Sequence, residues 1–249
     1  MVKNNDVFER KSDTLYLVSG LNQSVFLAPT YKEKLENQRK TRFARSKKTK
    51  LINPEHEDIG EISELINVNS DYKEDDPGDP VQIYKNRKTG IVSSVYNSYV
   101  ENIRCDQKIS QMANWQVIEG TDTILGYVCH KAAISYTGRS YTAWFAPEIP
   151  INDGPWKFWG LPGLILKVTD EQDLFEWEGI GLKKSNAIIV MDKVEYDNAS
   201  AFQFRNFIDK ITNTVMVSFF NNNILYLSNR KRNYSKIPIE LFEKNERTN

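Results

Sequence analysis

The chain has 249 residues, 40% hydrophobic and 12% aromatic, enough for a domain with a real core and too apolar for a wholly disordered chain. Lys and Arg equal Asp and Glu at 33 each, so bulk charge argues against nucleic acid or an anionic membrane as partner. No apolar run approaches the ~18 residues of a membrane span. Two cysteines and two histidines make neither a disulfide scaffold nor a structural zinc site, and no metal or cofactor is expected.

The first twenty residues are polar and contain no secretory signal. Read literally, that places the chain in the cytoplasm; the alternative is that a leader has been removed. Residues 12–27 alternate weakly and predict a strand ending in NQSVFLAP. Residues 31–50 carry nine Lys or Arg against two Glu, with no Gly or Pro, and read as an exposed helix or a basic arm. Residues 55–79 reverse the sign, with ten Asp or Glu against one Lys. DYKEDDPGDP at 71–80 shares only its composition with a calcium loop. It lacks the alternating ligands and closing Glu of an EF-hand, so it reads as a turn-rich acidic loop.

From residue 81 the texture is that of strands: VQIYKN, GIVSSVYNSYVENIRC and NWQVIEG are rich in Val, Ile and Tyr. TILGYVCHKAAISY then leads through Gly138-Arg139 into SYTAWFA. A Gly-X pair between alternating runs predicts a two-residue type II′ hairpin pairing Tyr136 with Tyr141 and Ile134 with Ala143. Val128, His130, Ala132, Ile134 and Tyr136 would share a core face with Tyr141, Ala143 and Phe145. Cys129 and Lys131 would share the other with Trp144. Neighbours on a strand point to opposite faces, so Cys129 and His130 are not expected to act as nucleophile and base. Cys105 and Cys129 are read as buried thiols or as one disulfide, if their strands are neighbours.

GPWKFWGLPGLILKV, residues 154–168, sets turn-formers against large aromatics. Leu161-Pro162-Gly163-Leu164 fits a type II turn, with Pro162 at i+1 and Gly163 supplying positive φ at i+2. Gly160 would allow close backbone approach. Leu164, Leu166 and Val168 would then face one side of the next strand. Two readings stand for Trp156, Phe158 and Trp159: rings that roof the core, or an aromatic mouth for a ligand with Trp144 and Glu148 beside it. In the second reading Trp159 behaves as core and Trp156 is partly exposed.

LILKVTD and LFEWEGIGL predict a second hairpin, with Glu176 and Glu178 on one face. AIIVMDKVEY continues the sheet. Phe204, Phe207, Ile208 and Ile211 then fall at three- and four-residue spacings, which predicts an amphipathic helix over 198–214 capped by Asn198 or Ser200. A charged tail occupies 229–249. The expected organisation is a single domain of mainly antiparallel β, α+β by class. A curved sheet or half-barrel over 81–195 is followed by the helix, with 31–80 as a charged insertion.

The run from Trp115 through Gly126-Tyr127 and Cys129 to Trp144, Glu148-Ile149-Pro150 and Gly154-Pro155 ends in Gly160-Leu161-Pro162-Gly163-Leu164-Ile165. It resembles the GLPGLI family of Bacteroidetes, which is named for that hexapeptide. The resemblance covers 114–182, weakens over 15–30 and is negligible in the charged segments. It implies an exported protein, periplasmic or associated with the outer membrane, encoded near TonB-dependent receptors. It transfers no catalytic residue. The Gly-Tyr-x-Cys strand is loosely similar in architecture to periplasmic half-barrel carriers.

There is no Gly-x-Ser-x-Gly, phosphate loop or metal-spaced His motif, and His56 has no identifiable partner. The leading expectation is therefore a non-enzymatic envelope protein. It would bind an apolar or peptide-like ligand, or an outer-membrane protein partner, through a curved sheet and the aromatic loop. An accessory subunit of a TonB-dependent receptor without a small ligand is the second reading, and a hydrolase with an unrecognised site the third.

Overall fold

The structure is a computed structural model, described for residues 14–29, 31, 33, 80–97, 101–109, 114–213, 216–220 and 223–228. Outside these residues lie His56, the acidic run, all but residues 31 and 33 of the basic segment, and the tail.

Two sheets form the body of the molecule. The first holds six strands: β1 (Tyr16–Ser19), β2 (Gln23–Leu27), β3 (Val81–Asn86), β4 (Ile91–Asn97), β5 (Asn102–Lys108) and β11 (Asp197–Asn198), in the order β1-β2-β3-β4-β5-β11. All its pairings are antiparallel except β11 with β5. The second is a meander of β6 (Gln116–Ile124), β7 (Tyr127–Tyr136), β8 (Arg139–Ala146), β9 (Leu164–Asp170) and β10 (Glu176–Glu178). Helix α1 (Ala201–Asn213) and a ribbon of β12 (Met216–Phe220) with β13 (Asn223–Ser228) follow. The architecture is thus mainly antiparallel β with one C-terminal helix, as the alternation implied. It is a pair of sheets, not a closed barrel.

The sheets share one core. Phe26, Ile83 and Val92 of the first meet Ala132, Ile134, Tyr141, Ala143, Phe145 and Val168 of the second. The opposite face of the first sheet is covered as well: Ile189, Met191 and Tyr196 pack over Val25, Tyr84 and Val95. The stretch AIIVMDKVEY that contributes these three was expected as a strand, but residues 187–196 form none. Its side chains anchor it while its backbone stays out of the ladder, forming a strap that the chain follows round to α1. There Phe204 packs on Tyr96 and Cys105. Ser200 caps the helix reciprocally: its Oγ accepts from Gln203 N at 3.3 Å, and Gln203 Oε1 accepts from Ser200 N at 2.9 Å. The Ile211 side chain lies outside those described.

The β7–β8 turn differs from expectation by one place. Thr137 and Gly138 form it, with φ of 47° and 77°, the signature of type I′ and not II′. Tyr136 therefore pairs with Arg139 and Ile134 with Tyr141. Moving the turn by one place slides the pairing by two residues, an even step, so each side chain keeps its face, and Ala132, Ile134, Tyr136, Tyr141, Ala143 and Phe145 are core as expected. Val128 and His130 are corrections. Both are exposed, because no described residue covers that end of the face; His130 keeps only the Phe145 ring, at 6.0 Å between centroids.

A bulge in β9 makes a further correction. Trp144 pairs with Lys167 but Phe145 with Ile165, so Leu166 is the extra residue. Leu164 and Leu166 consequently pack with Ile124, Cys129 and Ala146, whereas Val168 joins Ile165 in the main core. The disulfide reading is also overturned. Cys105 lies in β5 and Cys129 in β7, buried in different sheets and different clusters, and no bond joins them.

Candidate functional site

The aromatic connection between β8 and β9 is held from below by charge. On β3, Lys85 falls in the phase of Val81 and Ile83 and so points inward. Its Nζ lies 2.6 Å from Asp153 Oδ1, both side chains essentially without exposure. The ammonium also donates to the carbonyls of Gly154 and Phe158. Asp153 Oδ2 accepts from Arg87 at 2.7 Å and from Ser19 Oγ at 2.5 Å. Burial pulls the Lys85 pKa down, partly offset by Asp153. Burial alone would push Asp153 up, but the charge and hydrogen bond of Lys85, with Ser19 and Arg87, hold it below the usual carboxylate value. Sequence reasoning missed this network, although a lysine in the apolar phase of a strand was its visible signal.

Above this anchor the loop turns inward. Trp156, at φ 47°, is buried and stacks on Trp177 at 5.9 Å; Phe158 is fully buried against Tyr141 at 4.8 Å. Trp159 is only half-buried, and its carbonyl accepts from Trp115 Nε1 at 2.8 Å. The expected division is therefore reversed: Trp156 is core and Trp159 lies nearer the surface. Trp144 stands on the opposite side of β8, packed toward the Cys129 cluster, and Glu148 is exposed. The five residues expected around a mouth are not gathered into one.

The hexapeptide is structural in a way other than expected. Gly163 N donates to Leu161 O at 2.8 Å, closing a tight three-residue turn centred on Pro162 instead of a type II turn. Gly163 has φ 159°, far from the value near +80° that a type II turn requires. Its need for glycine is steric: a Cβ there would lie 2.3 Å from Ala146 O. Leu161, Leu164 and Ile165 are buried, while Pro162 is exposed and Gly160 takes φ 107°.

Open space lies on the far side of the six-stranded sheet, under the strap. A groove of about 290 Å³ is lined by Gln23, Tyr84, Ile91, Ser93, Arg104 and Met191, among others. A wider one of about 430 Å³ runs along Gly20–Gln23 and Lys88. Both touch Gln23, Asn86 and Ile189. Arg104 is held on Asp106 at 2.6 Å. Tyr84 donates to Gln82 Oε1 at 2.8 Å, and its phenol is pushed above its ordinary range by burial, with Asp192 and Tyr196 adding to the effect. The expected pair Glu176 and Glu178 shares Lys167, at 3.0 and 2.7 Å, on the other sheet. Among the described residues no three His, Cys, Asp or Glu side chains converge as a metal site.

These features define a two-sheet antiparallel β protein whose aromatic loop belongs to the core. A family model described as a protein of unknown function (Porph_ging) matches residues 136–167, from the end of β7 through the hexapeptide into β9. Solved structures of PNGF-II in space groups C2 and P21 are similar, with TM-scores of 0.54 and 0.53 and 16% identity. The similarity covers 86% of this chain but 32% of PNGF-II, so the chain spans about a third of that protein. What is shared at that identity is the fold. No curated protein sequence matches the chain.

Proposed function

We propose that this chain is a non-enzymatic binding module of the cell envelope that takes an apolar or peptide-like ligand in the groove beneath the strap. The observation that carries this reading is the lining. Ile91, Ile189 and Met191 give an apolar wall, and Gln23, Ser93 and Arg104 supply a few polar groups, the mixture small-ligand sites use. The resemblance of the hexapeptide region to an exported family supports the envelope assignment. No described helix is long and apolar enough to cross a membrane.

The test is native mass spectrometry of the protein mixed with fractionated envelope extract. Wild type should retain an adduct of roughly a few hundred daltons at most, since a groove of about 290 Å³ lies at the small end of ligand-site volumes. Thr89→Trp, at an exposed rim position, should lose it without loss of fold. No adduct on wild type, or an adduct that survives Thr89→Trp, refutes the groove.

A further inference from the structure

The outward side of the same strap is a separate surface. From Gly179 to Met191 the chain crosses from the second sheet to the first with no helix, strand or turn. Ile180 and Ile188 are 81% and 86% exposed, and Leu182 and Val190 about half exposed. Large aliphatics so exposed within one short stretch are an unpartnered apolar strip. The backbone is equally unclaimed. Among the described residues its hydrogen bonds are Gly179 N to Leu166 O, Ala187 N to Ser185 Oγ, and Tyr84 hydroxyl to Val190 O. The remaining N–H and C=O groups of 180–191 are free to pair.

Charge on the strip has one sign. Lys183 and Lys184 lie between the two aliphatic pairs, and no acidic residue occurs from 179 to 191. Exposure alternates at the far end, where Ile188 and Val190 point out while Ile189 and Met191 are drawn toward the sheet. That alternation, confined to 188–191, is what an extended segment presents, with both edges of its backbone outside any sheet.

We propose that residues 180–190 dock an extended segment of a partner protein by strand addition. The segment has aliphatic side chains at alternate positions around an acidic centre. Main-chain hydrogen bonds would supply the affinity. Ile180, Leu182, Ile188 and Val190 would select aliphatic neighbours, and the lysine pair would set register against Glu or Asp. A second copy of this chain is the poorer occupant, because pairing strap to strap brings two lysine pairs to one seam.

The probe is a synthetic peptide of about twelve residues alternating valine and threonine around a central Glu-Asp, long enough to span the strip. Its fluorescence anisotropy is followed with the full chain. Saturable binding is expected, with slowed amide exchange confined to 180–190. N-methylation of alternate peptide amides should abolish binding, because it removes the ladder donors. Lys183→Glu with Lys184→Glu should weaken the acidic peptide by roughly tenfold or more and strengthen a Lys-Lys-centred one. Thr89→Trp should leave this binding unchanged, which separates the strip from the groove. Absence of saturable binding, insensitivity to charge reversal, or concentration-dependent dimerisation mediated by the strap would each overturn the proposal.

Discussion

Asp153 joins the two sheets through a single buried carboxylate. Its carboxylate answers Lys85, Arg87 and Ser19 from strands β1 and β3 and the turn beyond, so one side chain pins the β8–β9 loop to the other sheet. Asp153→Asn leaves the Lys85 ammonium buried against a neutral partner and should cost about 3–5 kcal/mol in urea unfolding. Because the folded pKa of Asp153 lies below its unfolded value near 3.9, its contribution is complete above that range. It is lost as pH falls through the folded value. The stability curve of wild type should therefore drop in acid, and that of Asp153→Asn should be flatter there. Gly163 makes a second prediction from a different cause. Gly163→Ala drives a Cβ into the Ala146 carbonyl and should cost well over the ~1 kcal/mol typical of point mutations. Gly181→Ala, where a Cβ meets nothing within 4 Å, should fall within about ±0.5 kcal/mol in the same assay.

Among the elements, the β7–β8 hairpin shows how far period alone reaches. Alternation placed Ala132, Ile134, Tyr136, Tyr141, Ala143 and Phe145 on the core face correctly and failed only at Val128 and His130, which the core does not reach. The turn type, which hangs on Thr137 accepting positive φ, had no signal in a Gly-Arg dipeptide. A β-branched residue is a poor occupant of that position, and the Thr137 hydroxyl is buried without a hydrogen-bond partner. Thr137→Asn, giving Asn-Gly, should raise stability by about 0.5–1 kcal/mol, seen as a higher melting temperature with unchanged strand pairing. The β9 bulge was illegible for a different reason: a single extra residue leaves the alternation on either side intact and changes only its phase. The strap failed as a strand because its aliphatic content reads the same whether the backbone pairs or only the side chains do. The helix was legible throughout its described part, since spacing, cap and apolar face all agreed. Of the two readings of the aromatic loop the core one holds for Trp156 and Phe158; only the split between Trp156 and Trp159 was inverted, because nothing local reveals the buried Asp153 beneath the loop.

At the scale of the molecule, the two thiols offer independent reporters, one in each sheet. Burial pushes the Cys129 thiol up, and both cysteines should resist an aromatic disulfide reagent in the native state. Two thiols should be counted in denaturant without reductant, and both should become reactive at the same midpoint if the shared core makes the sheets one cooperative unit. Two midpoints would show that the sheets open separately. The route of the strap also bears on the order in which a growing chain is buried. The five-stranded sheet is drawn from one continuous stretch ending at residue 178, so its pairings are local. The six-stranded sheet uses strands from residue 16 to residue 198 and is clasped on its two faces by residues 187–208. A nascent chain halted near residue 186 would have all of the first set of pairings available, yet Tyr84, Val95, Tyr96 and Cys105 would still lack their covers. Synthesis of about twenty more residues, on the order of a few seconds at most, is the interval in which that sheet is most open to wrong partners.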